Sequence, residues 1–169
     1  VEELDTHGGS LRIYGRHADN TALALSDRYT ALKKRELAAG VDRLETYALL
    51  AEGVKETKRK LLEFPIEAKR KGKTIVGYGA PGKGNTLLNY CGIRTDFIDY
   101  TVDRSTYKQG KFLPGTHIPI FSPDKIRETK PDYVLILPWN FKDEIMQQVA
   151  YIREWGGQFV VPIPEVHVC

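Results

Sequence analysis

The segment Gly77-Tyr-Gly-Ala-Pro-Gly-Lys-Gly84 carries the clearest chemical signal in the chain. Gly77, Gly79 and Gly82 fit GxGxxG, the spacing of a dinucleotide-binding turn, and Gly77 with Gly82-Lys83 fits the GxxxxGK half of a nucleoside-triphosphate loop. Both patterns rest on the same physics. Glycines let the backbone turn tightly and approach an anion, and the next helix aims open amides and the positive end of its dipole at a phosphate. The triphosphate pattern needs Ser or Thr after the lysine to hold magnesium, and Gly84 stands there instead. The apolar run 133–137 ends in Pro138-Trp139 where such enzymes place an acid, so this reading is set aside. The dinucleotide pattern fares better, because a strand precedes it, a helix follows, and Asp99 or Asp103 lies about 20 residues on. A nucleotide or phosphate ligand is expected here, with a merely tight turn as the alternative. Lys83, unusual in a plain dinucleotide site, points to a ligand with exposed phosphate charge.

Two further loops follow strand ends and face the crevice where ligands bind in open parallel sheets. Residues 103–117, from Asp103 through Lys108 to His117, are rich in basic and hydroxyl groups suited to phosphate or sugar contacts, and Pro138-Trp139-Asn140 sets an aromatic plane beside an amide. Either could equally be an ordinary surface loop, with Asn140 capping a helix at Phe141. Tyr29 and Lys33 have the Tyr-x-x-x-Lys spacing of short-chain dehydrogenases but precede the glycine loop, which leaves them as chance helical neighbours. His7, His17, His117 and His167 are scattered, and Cys91 and Cys169 make no metal spacing. No metal site, Ser/His/Asp arrangement or carboxylate pair can be placed.

The elements that must position these residues are legible in outline. A short strand is expected at residues 8–14, without a partner, as though the last strand of a sheet lying elsewhere. Helices follow over about 26–39 and from Val41, the second with an apolar stripe of Leu44, Tyr47, Ala51, Val54, Leu61 and Ala68. Pro65 should end or kink it. Residues 31–73 hold 12 basic and 7 acidic side chains, which reads first as a solvated helix face and second as a phosphate-steering patch. Beyond Lys73, short apolar strands at 74–78, 97–102, 118–120, 133–137 and 158–161 alternate with helices at about 84–91, 122–129 and 141–155. That alternation predicts an α/β, Rossmann-like, doubly wound sheet of about five mostly parallel strands, covered on both faces. The expected divisions are 1–20, a remnant strand; 21–69, a helical region; and 70–169, the Rossmann-like domain.

At 169 residues the chain is long enough for one well-cored domain. A hydrophobic content of 41% with 28% charged residues excludes a disordered tail or a disulfide-framed mini-protein. A net charge of +3 gives no reason to expect nucleic acid, and no apolar run approaches the roughly 18 residues of a membrane span. Two cysteines and no signal peptide suggest a reduced, cytoplasmic setting. The chain opens at Val1 and its one methionine is Met146, so it is expected to be part of a longer protein.

His7-Gly-Gly-Ser-Leu-Arg12, Gly77-Tyr-Gly-Ala80, Lys83-Gly-Asn-Thr-Leu-Leu-Asn-Tyr-Cys-Gly92, Asp99-Tyr-Thr-Val-Asp-Arg104, Lys108-Gln-Gly, Pro114-Gly-Thr-His-Ile-Pro119 and Leu137-Pro-Trp-Asn140 together resemble the C-terminal region of sugar C-methyltransferases. The likeness covers nearly the whole chain, departing from it where Pro65 interrupts a helix and Gly82 stands in a place often held by alanine. It implies a parent enzyme that carries a methyl group from S-adenosylmethionine to a nucleotide-linked keto-sugar. It also implies a zinc-binding N-terminal module, a central domain holding the methyl donor, and a C-terminal domain that binds the sugar nucleotide. Only the last is matched here, so neither zinc nor S-adenosylmethionine is expected on these residues, and the partners are a nucleotide-diphospho-sugar and the preceding methyltransferase domain. The backbone from Gly79 and Ala80 through Gly84 to Asn85, with Lys83, would hold the pyrophosphate. Asp103, Lys108, Trp139 and Asn140 would meet sugar, ribose or base, and Tyr78 and Thr86 complete the candidate set. An NAD(P)-linked oxidoreductase and a non-catalytic structural domain are the competing readings.

Overall fold

The computed structural model describes residues 1–169, apart from the side chain of His7, which lies outside the described residues. The chain forms two compact units, Val1–Gly53 and Val54–Cys169.

In the first unit β1 (Glu2–Leu4) pairs antiparallel with β2 (Ser10–Arg12), in the register Glu2↔Arg12 and Leu4↔Ser10. The strand expected to lack a partner therefore has one. Its partner is a Glu-Glu-Leu run too polar to announce itself, held in part by an Arg12–Glu2 ion pair at 3.0 Å. Helix α1 (Asp27–Ala38) starts where the Ser26 hydroxyl accepts from the Tyr29 amide, and it buries none of its residues.

Helix α2 (Leu44–Arg70) begins in this unit and runs on into the second, with Pro65 inside it. Of the expected end or kink, the end does not occur. A proline inside a helix costs about 3 kcal/mol, but Pro65 lies between Leu61 and Ala68 and all three are buried, so packing along this stretch offsets the lost bond. Only this end of the predicted apolar stripe is covered; Leu44, Tyr47 and Val54 are exposed.

The second unit is built on β3 (Ile75–Tyr78), β4 (Thr101–Val102), β5 (Ile120–Phe121), β6 (Tyr133–Ile136), β7 (Gln158–Val161) and β8 (His167–Val168). Their spatial order is β5-β4-β3-β6-β7-β8, with every pair parallel except β7–β8. Numbered within this unit, that is the 3-2-1-4-5-6 order of dinucleotide-binding sheets. There are six strands rather than about five, because antiparallel β8 closes one edge. Period-two alternation divides the core. Ile75, Leu135 and Val160 meet α2 and α3 (Gly82–Cys91) on one face, while Val76, Val134 and Phe159 meet α4 (Asp124–Thr129) and α5 (Lys142–Gln148) on the other.

Several boundaries shift. The strand expected over 97–102 narrows to Thr101–Val102, since Phe97 and Ile98 turn back onto the Arg94 carbonyl. Residues 141–155 are not one helix but α5 flanked by 3-10 turns at Trp139–Phe141 and Ala150–Trp155.

Candidate functional site

The chain order reverses between β3 and β6, and the crevice outside their carboxyl ends is where such sheets bind ligands. The glycine loop leaves β3 at this point. Gly79 has φ +86, and a Cβ there would sit 2.7 Å from the Pro138 ring; one on Gly84 would sit 2.8 Å from the Leu137 Cβ. Both glycines let the opening of α3 pack closely on the end of β6. Pro81 precedes the helix and supplies no side-chain cap. The first intrahelical bond is Asn85 N–H to the Pro81 carbonyl, at 3.0 Å, so the amides of Gly82, Lys83 and Gly84 come before it and point out of the helix end.

Lys83 reaches across this mouth. Its ammonium donates to Asn140 Oδ1 and lies 4.5 Å from the centre of the Trp139 ring. Three residues from two loops, each singled out in the sequence, are thereby brought together. Ala80 is clasped from the other side: its amide donates to Asp103 Oδ2 at 2.7 Å, and its carbonyl accepts from Lys108 Nζ at 3.1 Å. Lys108 also pairs with Asp103 at 3.1 Å, and the Ser105 amide donates to the other carboxylate oxygen at 2.9 Å. The Asp103 side chain is only 13% exposed. Burial alone would raise its pKa, but bonds from the Ser105 and Ala80 amides and from Lys108 outweigh burial and lower it. Asp103 is thus a fixed carboxylate that shapes the loop, with its oxygens already engaged.

The remaining candidates separate. Asn85 Oδ1 is buried with no partner, while the Thr86 hydroxyl bonds back to the Gly82 carbonyl of its own helix. Tyr78 points to the opposite sheet face, among the core residues packed by α4 and α5. Its hydroxyl donates to Gln148 Oε1 at 3.3 Å, and burial raises its pKa. The long loop after Asp103 is more ordered than its composition suggests. Gly110 and Lys111 bond to Ile120, Leu113 to Ile118, and Pro114 accepts from Asn89 of α3. Sequence reasoning missed Arg104, Phe141, Glu144 and Gln148, which with Tyr78 and Ile145 line a crevice of about 280 Å³ at the same sheet edge. The adjacency of Arg104 to Asp103 and of Phe141 to Asn140 was the available signal.

Residues 5–164 match the protein family described as the C-methyltransferase C-terminal domain. The chain belongs to that family. This C-methyltransferase C-terminal domain is 36% identical, over 170 residues, to C-methyltransferase NovU of Streptomyces niveus, an alignment that takes in 99% of this chain and 40% of that protein. The chain therefore spans about two fifths of the length of this curated relative. The crystal structure of UDP-D-quinovosamine 4-dehydrogenase from Vibrio fischeri aligns at 22% identity and a TM-score of 0.41, covering 55% of this chain and 79% of that one. Among the described residues no group of His, Cys, Asp and Glu could hold a metal ion, and no helix is long and apolar enough to cross a membrane. Cys91 is buried and Cys169 exposed, both as free thiols.

Proposed function

We propose that this domain binds the nucleotide-diphospho-sugar substrate of an S-adenosylmethionine-dependent C-methyltransferase, gripping the pyrophosphate at the start of α3. The observation that carries this reading is the uncapped helix opening at Gly82–Gly84, with the Lys83 ammonium beside it, at the point of the sheet where strand order reverses. Three outward amides, a helix dipole and one cation suit an anion of concentrated charge. Asn140 and Trp139 hold the ammonium over the mouth, so an incoming phosphate exchanges one neutral partner of Lys83 for a charged one.

The state of Asp103 bears on the competing ligands. In a dinucleotide site the acid at the end of the second strand accepts the ribose hydroxyls. Here that carboxylate is occupied by Ala80, Ser105 and Lys108. The ribose of NAD(P) or of S-adenosylmethionine would have to compete with these three donors for Asp103, which favours a methyl donor, zinc and catalytic groups lying outside these residues. Asp103 and Lys108 then act on the sugar nucleotide indirectly, by setting the loop.

Calorimetric titration of the protein with dTDP, UDP, GDP and NADH tests the reading. Binding of at least one nucleoside diphosphate, and weaker or no binding of NADH, is the expected result. Binding of NADH with none of the diphosphates would overturn it.

A further inference from the structure

The first unit is folded without a core of its own. Among its described residues Gly40 alone is buried, and both hydrophobic cores lie wholly in the second unit. A two-stranded sheet and a 12-residue helix are each marginal in water when nothing packs on them. The apolar side chains of this unit are nonetheless gathered rather than scattered. Leu11, Ile13, Tyr14, Leu23 and Leu25 line one groove of about 680 Å³, together with Leu32 of α1. Ile13 is 73% exposed and Leu25 67%. Single exposed leucines are ordinary on a protein surface, but a contiguous apolar groove marks a place where another surface sits. The groove also carries charge of mostly one sign, with Arg16, Arg28 and Lys33 set against Glu36, the one acid among its described lining residues. Arg28 lies 3.7 Å from Glu2, whereas Arg16 and Lys33 join no ion pair among the described residues.

An apolar floor with a cationic rim selects its occupant. Two copies of this groove laid face to face would set cation against cation, whereas an apolar surface edged by carboxylates satisfies both features. Such a surface need not come from a separate protein. The match to NovU takes in 99% of this chain but only 40% of that protein, so the larger part of the relative lies outside the aligned region. The family match begins at residue 5 and runs on through the coreless unit, which is therefore a regular part of the matched domain. We propose that the groove seats a carboxylate-edged apolar surface from the part of the parent protein outside these 169 residues, and that this surface supplies the core the first unit lacks. Leu25 and Ile13 give the contact its apolar area, and Arg16 and Lys33 meet the acidic edge. The inference stands on residues 1–36 and does not depend on what the glycine loop binds.

The test is hydroxyl-radical footprinting of the full gene product, with its oligomeric state measured by sedimentation in the same buffer. In the monomer, labelling of Ile13, Tyr14, Leu23 and Leu25 should be largely lost, although each is open to solvent in residues 1–169. Lys33→Glu sets a carboxylate against carboxylates and should restore that labelling, while Lys33→Arg should leave the protection in place. Labelling of all four residues at the rate of open side chains in the unaltered protein would overturn the proposal. Protection found only in a dimer and lost on dilution would overturn it in favour of a second copy. Protection that vanishes when a bound lipid or fatty acid, detected by native mass spectrometry, is stripped away would overturn it in favour of an amphipathic anion. Full protection in Lys33→Glu would remove the acidic edge, and the proposal with it.

Discussion

At the amino edge of the sheet Asp132 ties the start of β6 to the start of β3; at the carboxyl edge Asp103 ties the end of β4 to the loop leaving β3. The two clasps share one chemistry. Asp132 accepts from the Thr74 amide and hydroxyl at 2.9 Å each and from Lys73 at 2.8 Å, much as Asp103 accepts from two amides and Lys108. Their surroundings differ. Asp132 joins two strand starts and is 35% exposed. Asp103 is 13% exposed and fixes one side of a loop that leads into α3, whose opening carries Lys83. A parallel sheet builds its binding edge where strands feed helix N-termini, so in the proposed function the same carboxylate clasp that holds the fold at one edge sets the binding loop at the other.

Substitutions can break that comparison, and the largest effect is expected where the loop meets β6. Gly79→Val places a side chain at φ +86 against the Pro138 ring, and should lower unfolding free energy by about 4 kcal/mol, read as a shift in the denaturant midpoint. Lys83→Glu should weaken nucleoside diphosphate binding about 100-fold while leaving that midpoint nearly unchanged. A domain whose glycine loop only supports the fold would show no binding to lose. Asp103→Ala strips the partner from the Ala80 amide and leaves Lys108 only the Ala80 carbonyl, and should cost about 2 kcal/mol of stability together with ligand affinity.

Asp132→Asn is the smallest and the sharpest contrast. It should cost about 1 kcal/mol, discounted because the side chain is 35% exposed to screening water, and should leave ligand affinity unchanged. The bond from Lys73, followed by that from the Thr74 amide, lowers the Asp132 pKa from 3.8 to about 2. Its contribution is therefore complete above about pH 4 and fades as pH falls toward 2. Urea titrations across that range should show a flatter pH dependence for Asp132→Asn than for the unaltered protein.

How far the sequence foretold this follows from the range of each interaction. The alternation of apolar runs with helices from Thr74 onward was readable because a strand buried on both faces must be apolar throughout, as Tyr133–Ile136 is. The glycine loop was readable because its spacing is local. Strand β4 was read too long, β8 was not read at all since so short a run has no period, and β1 was hidden by its glutamates. Helix α2 defied Pro65 through burial of Leu61 and Ala68 that no local rule contains. The bond from the Ala80 amide to Asp103 was not readable for the same reason, since the two lie 23 positions apart in the chain. The Lys83–Asn140–Trp139 meeting joins residues more distant still, so each was legible as a candidate but their convergence was not.

Amide chemical shifts of isotopically labelled protein, followed by NMR as UDP or dTDP is added, address the start of α3 most directly. Saturable shifts of the Gly82, Lys83 and Gly84 amides, absent in Lys83→Glu, are the result this account requires. Ligand-dependent shifts confined to other residues, with those three amides unmoved, would contradict it.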